Sequence, residues 1–169
     1  MTALLCIASL GFRSPLSDLA AEPTLSIRVR VSNHTQASPT LLAKAQREAG
    51  RILGQAGLQI VWIYCPMGKS RAVPGDACLE PCEPSDIVLR ILPESTGYGL
   101  PTASVGLAIH PFLAAVYYDY VVFRAKNDAT ESDAPVILAC VIAHEIGHLL
   151  LGPNGHSLAG IMQPQWEPE

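Results

Sequence analysis

The sequence contains little charge. Only 15% of its 169 residues are Asp, Glu, Lys or Arg, and the 11 basic residues form no cluster. A nucleic-acid surface needs concentrated positive charge, and the net charge here is -4, so we expect no nucleic-acid partner. Hydrophobic residues make up 49% of the chain, which excludes wholesale disorder and is sufficient for the core of one ordinary domain.

Long hydrophobic runs and internal repeats are also absent from the sequence. No uninterrupted apolar run approaches the roughly 18–20 residues that a membrane-spanning helix needs, so we expect no integral membrane segment. No low-complexity tract divides the chain either. We therefore interpret residues 22–169 as a single domain.

The N-terminus resembles a secretory leader. Residues 1–10 include a short apolar run, and Ala20-Ala21 offers the small residues of a cleavage site. The positive charge that normally precedes such a run is missing, and Leu19 is large for its position. We predict that residues 1–21 are a cleaved leader of a secreted or periplasmic protein, the alternative being a disordered tail.

Three of the five cysteines surround a loop rich in Gly and Pro. A disulfide between Cys65 and either Cys78 or Cys82 would close this loop, and disulfides are typical of exported proteins. A second zinc site at Cys78 and Cys82 is the less favoured alternative, since no histidine lies near them in sequence. Cys6 would be removed with the leader, and Cys140 is interpreted as a small buried hydrophobic residue.

Hydrophobic periodicity predicts five strands. The signals are an alternation of apolar and polar residues or an enrichment in β-branched and aromatic residues. The predicted strands are 25–31, 58–63, 86–92, 104–110 and 115–123. The fourth strand is interrupted by glycine, which favours a position at a sheet edge.

Two helices are predicted from their boundaries and their apolar faces. The first begins after Ser38, which can act as its N-cap, and ends at Gly54 or Gly57. The second covers 136–151 and is followed by Gly152. It is apolar almost all round, so we expect it to be buried against the sheet.

His144, Glu145 and His148 interrupt this apolar helix and form an HExxH motif. Residues four apart share a helix face, so the two imidazoles can bind one Zn²⁺ at about 2.0–2.1 Å. Glu145 is then placed to accept a proton from a metal-bound water and to pass it to the leaving amine. The alternative is a solvated surface helix, but the apolar flanking residues would leave three polar side chains unpaired in a core.

A tetrahedral catalytic zinc site needs a third protein ligand. After the motif the candidates are His156, Glu167 and Glu169. Both glutamates lie in the last three residues, where chain ends tend to be poorly ordered. His156 is eight residues beyond His148, after a turn rich in Gly and Pro, and can fold back to the metal. We therefore predict that His144, His148 and His156 hold one catalytic Zn²⁺.

These residues resemble the signature of the metzincin metallopeptidases, HExxHxxGxxH followed by a methionine-containing turn. Gly152 resembles the turn glycine, His156 the third ligand, and 160–162 (Gly-Ile-Met) the Met-turn. The spacing here is HExxHxxxGxxxH, with one additional residue on each side of the glycine. The order of strands and helices over 25–166 is similar to the metzincin upper subdomain, with 106–111 as its substrate-binding edge strand.

The resemblance implies a fold and a substrate-binding mode. The fold is α+β, a twisted, mixed five-stranded sheet with a long backing helix and a long active-site helix. Because seven residues follow Met162, a very short C-terminal subdomain is expected. Met162 would pack beneath the three histidines as an apolar floor without binding the metal. An extended peptide would pair with 105–109 at the sheet edge.

Together these features predict a monomeric, zinc-dependent hydrolase, an endopeptidase acting on a peptide or protein substrate with Glu145 as general base. Two alternatives stay open: a zinc-stabilised binding module with little turnover, and a hydrolase of a non-peptide amide or cell-wall bond. The other tyrosines and histidines near these elements are interpreted as packing or non-catalytic residues, although His110 could line the cleft: Tyr117, Tyr118, Tyr120, His34 and His110.

Overall fold

The computed structural model describes residues 25–67, 76–94, 104–127 and 134–164, which form five strands and three helices. The strands are β1 (Leu25–Asn33), β2 (Leu58–Tyr64), β3 (Ile87–Leu92), β4 (Gly106–Ile109) and β5 (Leu113–Tyr117). The helices are α1 (Pro39–Gly54), α2 (Tyr118–Asn127) and α3 (Ala134–Leu151). The expected α+β class is confirmed. The predicted leader and the two C-terminal glutamates lie outside the described residues.

The five strands form one mixed sheet in the order β2-β1-β3-β5-β4. β1 is parallel to β2 and β3, and β3 is parallel to β5. β4 is antiparallel to β5 and is joined to it by the short turn 110–112. Among the described strands, β4 therefore lies at one edge of the sheet, where it also contacts α3.

The core lies between one face of the sheet and the helices α1 and α3. Helix α1 begins where Ser38 Oγ accepts a hydrogen bond from the Leu41 N–H (3.2 Å). The buried side chains come from alternate strand positions, from one face of α1 and from most of α3: Ile27, Val29, Val31, Leu89, Ile91, Ala114, Val116, Leu42, Ala45, Ala49, Leu53, Leu138, Val141, Ile142 and Ile146. Helix α3 is apolar on every side because it contacts α1, α2, β4 and β5 at once.

Helix α3 is also long and apolar enough, by length and composition alone, to cross a membrane. Its 18 residues have a mean hydropathy of 1.8, and 61% of them are buried inside the fold. The mean hydropathy is high although the helix contains three polar residues, which interrupt its apolar run in the sequence. The core helix of a globular protein passes the same test, so this property is weak evidence for a membrane.

The predicted fifth strand, 115–123, is wrong in its second half. The strand ends at Tyr117, and the residues from Tyr118 onward form α2. The neighbouring strand β3 ends at Leu92, which pairs with Tyr117, so among the described residues no strand continues beside 118–123. A helix satisfies the backbone hydrogen bonds internally, and this outweighs the β propensity of the aromatic and β-branched residues.

The disulfide joins Cys65 to Cys78, which resolves the pairing that the sequence left open. Cys82 is a free, exposed thiol, and Cys140 is free and half-buried in α3. The bond connects the end of β2 to the loop before β3. A disulfide is typical of an oxidising, extracellular compartment.

Asp86 holds the same loop against the outer face of β1. Its buried carboxylate accepts hydrogen bonds from Arg28 Nε (2.7 Å) and Arg30 Nε (3.0 Å). Arg30 also donates to the carbonyl oxygens of Glu80 (2.8 Å) and Pro81 (3.0 Å). The hydrogen bond from Arg28 is the main reason why the pKa of Asp86 lies below its usual value.

We expect Asp86→Asn to lower the free energy of unfolding by about 3 kcal/mol at neutral pH, because the buried Arg30 loses its counter-charge. Since the folded-state pKa of Asp86 is lowered, its stabilisation is complete above the ordinary Asp pKa of about 3.9. It is lost as the pH falls through the folded-state pKa. Urea unfolding of wild type and variant should therefore differ less below about pH 4 than at pH 7.

The matched control is Glu48→Gln, which removes the exposed ion pair with Arg51 on α1. This variant should leave the urea midpoint almost unchanged, because exposed pairs contribute little. Equal losses of stability in the two variants would contradict the role assigned to Asp86.

Candidate metal centre

Helix α3 carries His144, Glu145 and His148 into a cleft at the edge of the sheet. Their exposed fractions are 7%, 4% and 9%, so all three are buried. The cleft has a volume of about 400 Å³ and lies between β4 and the loop that follows α3. Because the rest of α3 is packed in the core, the helix cannot turn these side chains elsewhere without exposing apolar surface.

The loop after α3 returns His156 to the same cleft. Gly152 ends the helix with φ of 95°, a left-handed conformation that glycine adopts without strain, and its N–H donates to the His148 carbonyl (2.9 Å). The Gly155 N–H then donates to the Gly152 carbonyl (3.0 Å) and closes a tight turn. The exposed His156 follows directly, so it reaches the cleft from the side opposite β4.

The three predicted histidines meet at their Nε2 atoms. Nε2 of His148 lies 3.0 Å from Nε2 of His144 and 3.1 Å from Nε2 of His156. Two nitrogens bound tetrahedrally at the usual Zn–N distance would lie about 3.3–3.4 Å apart. The three imidazoles therefore form a group that could hold a metal ion with an expansion of only a few tenths of an ångström.

The hydrogen bonds at the opposite ring nitrogens support this fit. Nδ1 of His144 donates to the Ile161 carbonyl (2.8 Å), and Nδ1 of His148 makes a longer contact with the Gly152 carbonyl (3.4 Å). A carbonyl only accepts, so the proton of each ring is on Nδ1 and its Nε2 presents a lone pair to the cluster. The lone pairs of His144 and His148 then face each other at 3.0 Å and repel, and a cation between them removes the repulsion.

Burial acts in the same direction on His144. It lowers the pKa of this imidazole, and the neighbouring His148 and His156 lower it further, although the hydrogen bond to Ile161 opposes them. The neutral ring is the form that binds metals. The positions of the three rings and the lowered pKa of His144 thus both fit a metal ion.

Met162 packs against the backbone of α3 at Gly147. It is 7% exposed, and a Cβ built on Gly147 would overlap its sulfur atom. The Ser157 N–H donates to the Met162 carbonyl (2.9 Å), which closes the loop over this contact. Gly147 is therefore a position where only glycine fits, and its one signal in the sequence is a glycine in an otherwise unbroken helix.

Glu145 lies in the same cleft as the three histidines. Desolvation raises its pKa to about 8, because the side chain is 4% exposed and burial disfavours the charged form. No side chain among the described residues is hydrogen-bonded to its carboxylate. A cation held by the neighbouring imidazoles would lower this pKa and favour the ionised form.

The remaining sequence candidates are distributed as follows. His110 lines the cleft, at the end of β4. His34 instead contacts Ser32 Oγ through Nε2 (3.2 Å), and it does not line the cleft. Tyr117 is buried in β5, whereas Tyr118 and Tyr120 are half-buried at the start of α2. None of the three tyrosines lines the cleft.

The site is thus a cluster of three imidazoles beside a buried carboxylate, at the edge of a mixed sheet. In comparisons with known proteins, neither a protein-family model nor a curated protein matches the chain. The function must therefore be argued from the geometry of this site and from the resemblance in the motif.

We expect the purified protein to bind one zinc ion per chain after dialysis against trace zinc, measured by elemental analysis. Zinc should raise the thermal midpoint, and a chelator should remove this increase, because a metal that binds only the folded state stabilises it. His148→Ala, which lacks the central imidazole, should lose the bound zinc. His34→Ala is the control and should keep it, and equal zinc content in both variants would rule out this site.

We expect Gly147→Ala to destabilise the protein, although the same change in an ordinary helix interior stabilises by about 1 kcal/mol. The reason is the overlap with the sulfur of Met162. In Gly147→Ala/Met162→Ala the combined loss should be smaller than the sum of the two single losses, measured by urea unfolding. Additive losses would show that the methionine does not pack on this glycine.

Proposed function

We propose that the protein is a zinc-dependent peptidase similar to the metzincins, with His144, His148 and His156 as ligands and Glu145 as general base. The observation that carries this proposal is the shared cleft. Three convergent imidazoles, one buried carboxylate and the open edge of a sheet line the same volume of about 400 Å³. Each of these parts has a separate task in the hydrolysis of a peptide bond.

The chemistry of the three ligands favours zinc. Neutral imidazole nitrogens suit zinc and other transition metals, whereas calcium and magnesium prefer oxygen. Three protein ligands leave a fourth tetrahedral position for water or substrate. Zinc bound in this way supplies a Lewis acid that polarises the substrate carbonyl and lowers the pKa of a coordinated water.

Glu145 moves the proton. Its carboxylate accepts a proton from the attacking water and delivers it to the leaving amine nitrogen as the C–N bond breaks. The burial that raises its pKa to about 8 makes the carboxylate a stronger base than one in water. A cation held by the three imidazoles would lower this pKa, so that Glu145 would be ionised at neutral pH and able to accept the proton.

Strand β4 supports a peptide rather than another amide as substrate. The Val105 carbonyl accepts from the Tyr117 N–H (3.0 Å), so 105, 107 and 109 are the residues that bond to β5. The backbone N–H and C=O groups of Gly106 and Ala108 then point to the open edge, toward the cleft. An extended peptide can pair with these groups as an additional strand.

The packing of Met162 supports the likeness to the metzincins more closely than the motif alone. Its sulfur lies against Gly147, the residue before His148 on α3, and the resemblance likewise implies a buried methionine close to the ligands. The additional residue before Gly152 belongs to α3, which continues to Leu151, and the one after it belongs to the tight turn that brings His156 to the cluster.

We expect Glu145→Gln to retain stoichiometric zinc and to lose peptide cleavage by about 10²–10⁴-fold, the usual contribution of a general base. The assay is mass spectrometry of a peptide library incubated with the zinc-loaded protein. Glu48→Gln on α1 is the matched control and should cleave like the wild type.

Undiminished turnover of Glu145→Gln would contradict the mechanism. A wild-type protein that binds zinc but cleaves no peptide would instead support the zinc-stabilised binding module. Release of amine from a non-peptide amide, without peptide cleavage, would support the third interpretation.

A further inference from the structure

Gly106 is the point where the edge strand touches Glu145. A Cβ built on Gly106 would lie 2.6 Å from Oε1 and 2.7 Å from Cγ of Glu145. Non-bonded carbon and oxygen atoms do not approach this closely, so no side chain fits between β4 and the carboxylate. The strand contacts Glu145 through the backbone of Gly106, and any larger residue at 106 would displace either β4 or the Glu145 side chain.

The position of Glu145 depends on this contact because hydrogen bonds do not define it. Among the described residues no donor binds its carboxylate, in contrast to Asp86, which accepts from two arginines. The side chain of Glu145 is 4% exposed. Its carboxylate is therefore held by packing between β4 on one side and the histidine face of α3 on the other.

We infer that Gly106 is a positioning residue for the general base. Its missing side chain lets the carboxylate occupy the space beside the three imidazoles, and its backbone forms the wall that keeps it there. This role rests on the proposed function, because it acts through Glu145. The same residue directs backbone groups to the open strand edge, so one position sets the distance between the base and a peptide paired with β4.

A second contact of Gly106 has to be separated from the first. The same added Cβ would lie 2.7 Å from the Ala115 carbonyl oxygen in β5. A side chain at 106 would therefore disturb the pairing of β4 with β5 as well as Glu145. The two effects can be distinguished because the first disappears when the Glu145 side chain is removed and the second does not.

The first test measures stability and needs no substrate. Gly106→Ala is compared with wild type, and Gly106→Ala/Glu145→Ala with Glu145→Ala, by thermal or urea unfolding of the zinc-loaded proteins. We expect a smaller loss of midpoint in the Glu145→Ala background, because that side chain no longer meets the added methyl group. Equal losses in the two backgrounds would overturn the inference and assign the glycine to the contact with Ala115.

If Gly106→Ala does not fold, the double variant decides. Recovery of a folded, zinc-binding protein on removal of the Glu145 side chain supports the contact, and failure of both variants overturns it. Gly54→Ala is the matched control, since a Cβ there meets nothing within 4 Å. It lies in α1, where alanine is favoured over glycine, so it should not lower the midpoint and should leave the zinc content unchanged.

The second test measures catalysis. In the folded Gly106→Ala protein with full zinc content, kcat should fall on the order of a hundredfold, the effect of a misplacement of about 1 Å. A disturbed pairing of β4 with β5 would be seen in KM, which we expect to change much less than kcat. A loss confined to KM would overturn the role in positioning the base. If wild type cleaves no peptide, the proposed function fails, whereas the stability test still reports on the contact itself.

Discussion

The burial of α3 is the constraint on which the rest of the structure depends. The helix is apolar on every side because it packs against α1, α2, β4 and β5 together. The exceptions are His144, Glu145 and His148, and all three side chains line the cleft at the sheet edge. The free energy that stabilises the core also orients the candidate ligands and the candidate base, so the fold and the site cannot be separated.

The third histidine is positioned by a different kind of interaction. His156 is exposed and belongs to a loop without regular secondary structure, which backbone hydrogen bonds and the left-handed Gly152 fold into a tight turn. The Ile161 carbonyl accepts a hydrogen bond from Nδ1 of His144, and the Gly152 carbonyl lies near Nδ1 of His148, on the ring sides away from the cluster. The loop thus supplies one ligand and orients the other two. A bound metal would link a stable core helix to this loop, and its binding free energy would contribute to folding.

Much of the fold could be predicted because hydrophobic periodicity reports which face of a segment is buried. It located the five strands, the α1 helix and the helix of the HExxH motif. It failed at Tyr118, since a strand there would have no partner beyond Leu92, and periodicity carries no information about partners. Choosing between Cys78 and Cys82 as the partner of Cys65 was likewise impossible from spacing, because both lie in the same loop.

What the sequence by itself determined is local: an HExxH motif on one helix face, its burial, and a nearby third histidine. The glycine in the fourth strand already favoured a sheet edge, and the structure confirms this position. Only the tertiary structure decided that this edge lies beside Glu145, that Gly106 and Gly147 are sites of close approach, and that it is the Nε2 atoms of the three histidines that meet. The physical reason is range. Motif and periodicity depend on residues within one or two turns, whereas strand order, register and the return of a loop depend on contacts between residues far apart in the chain.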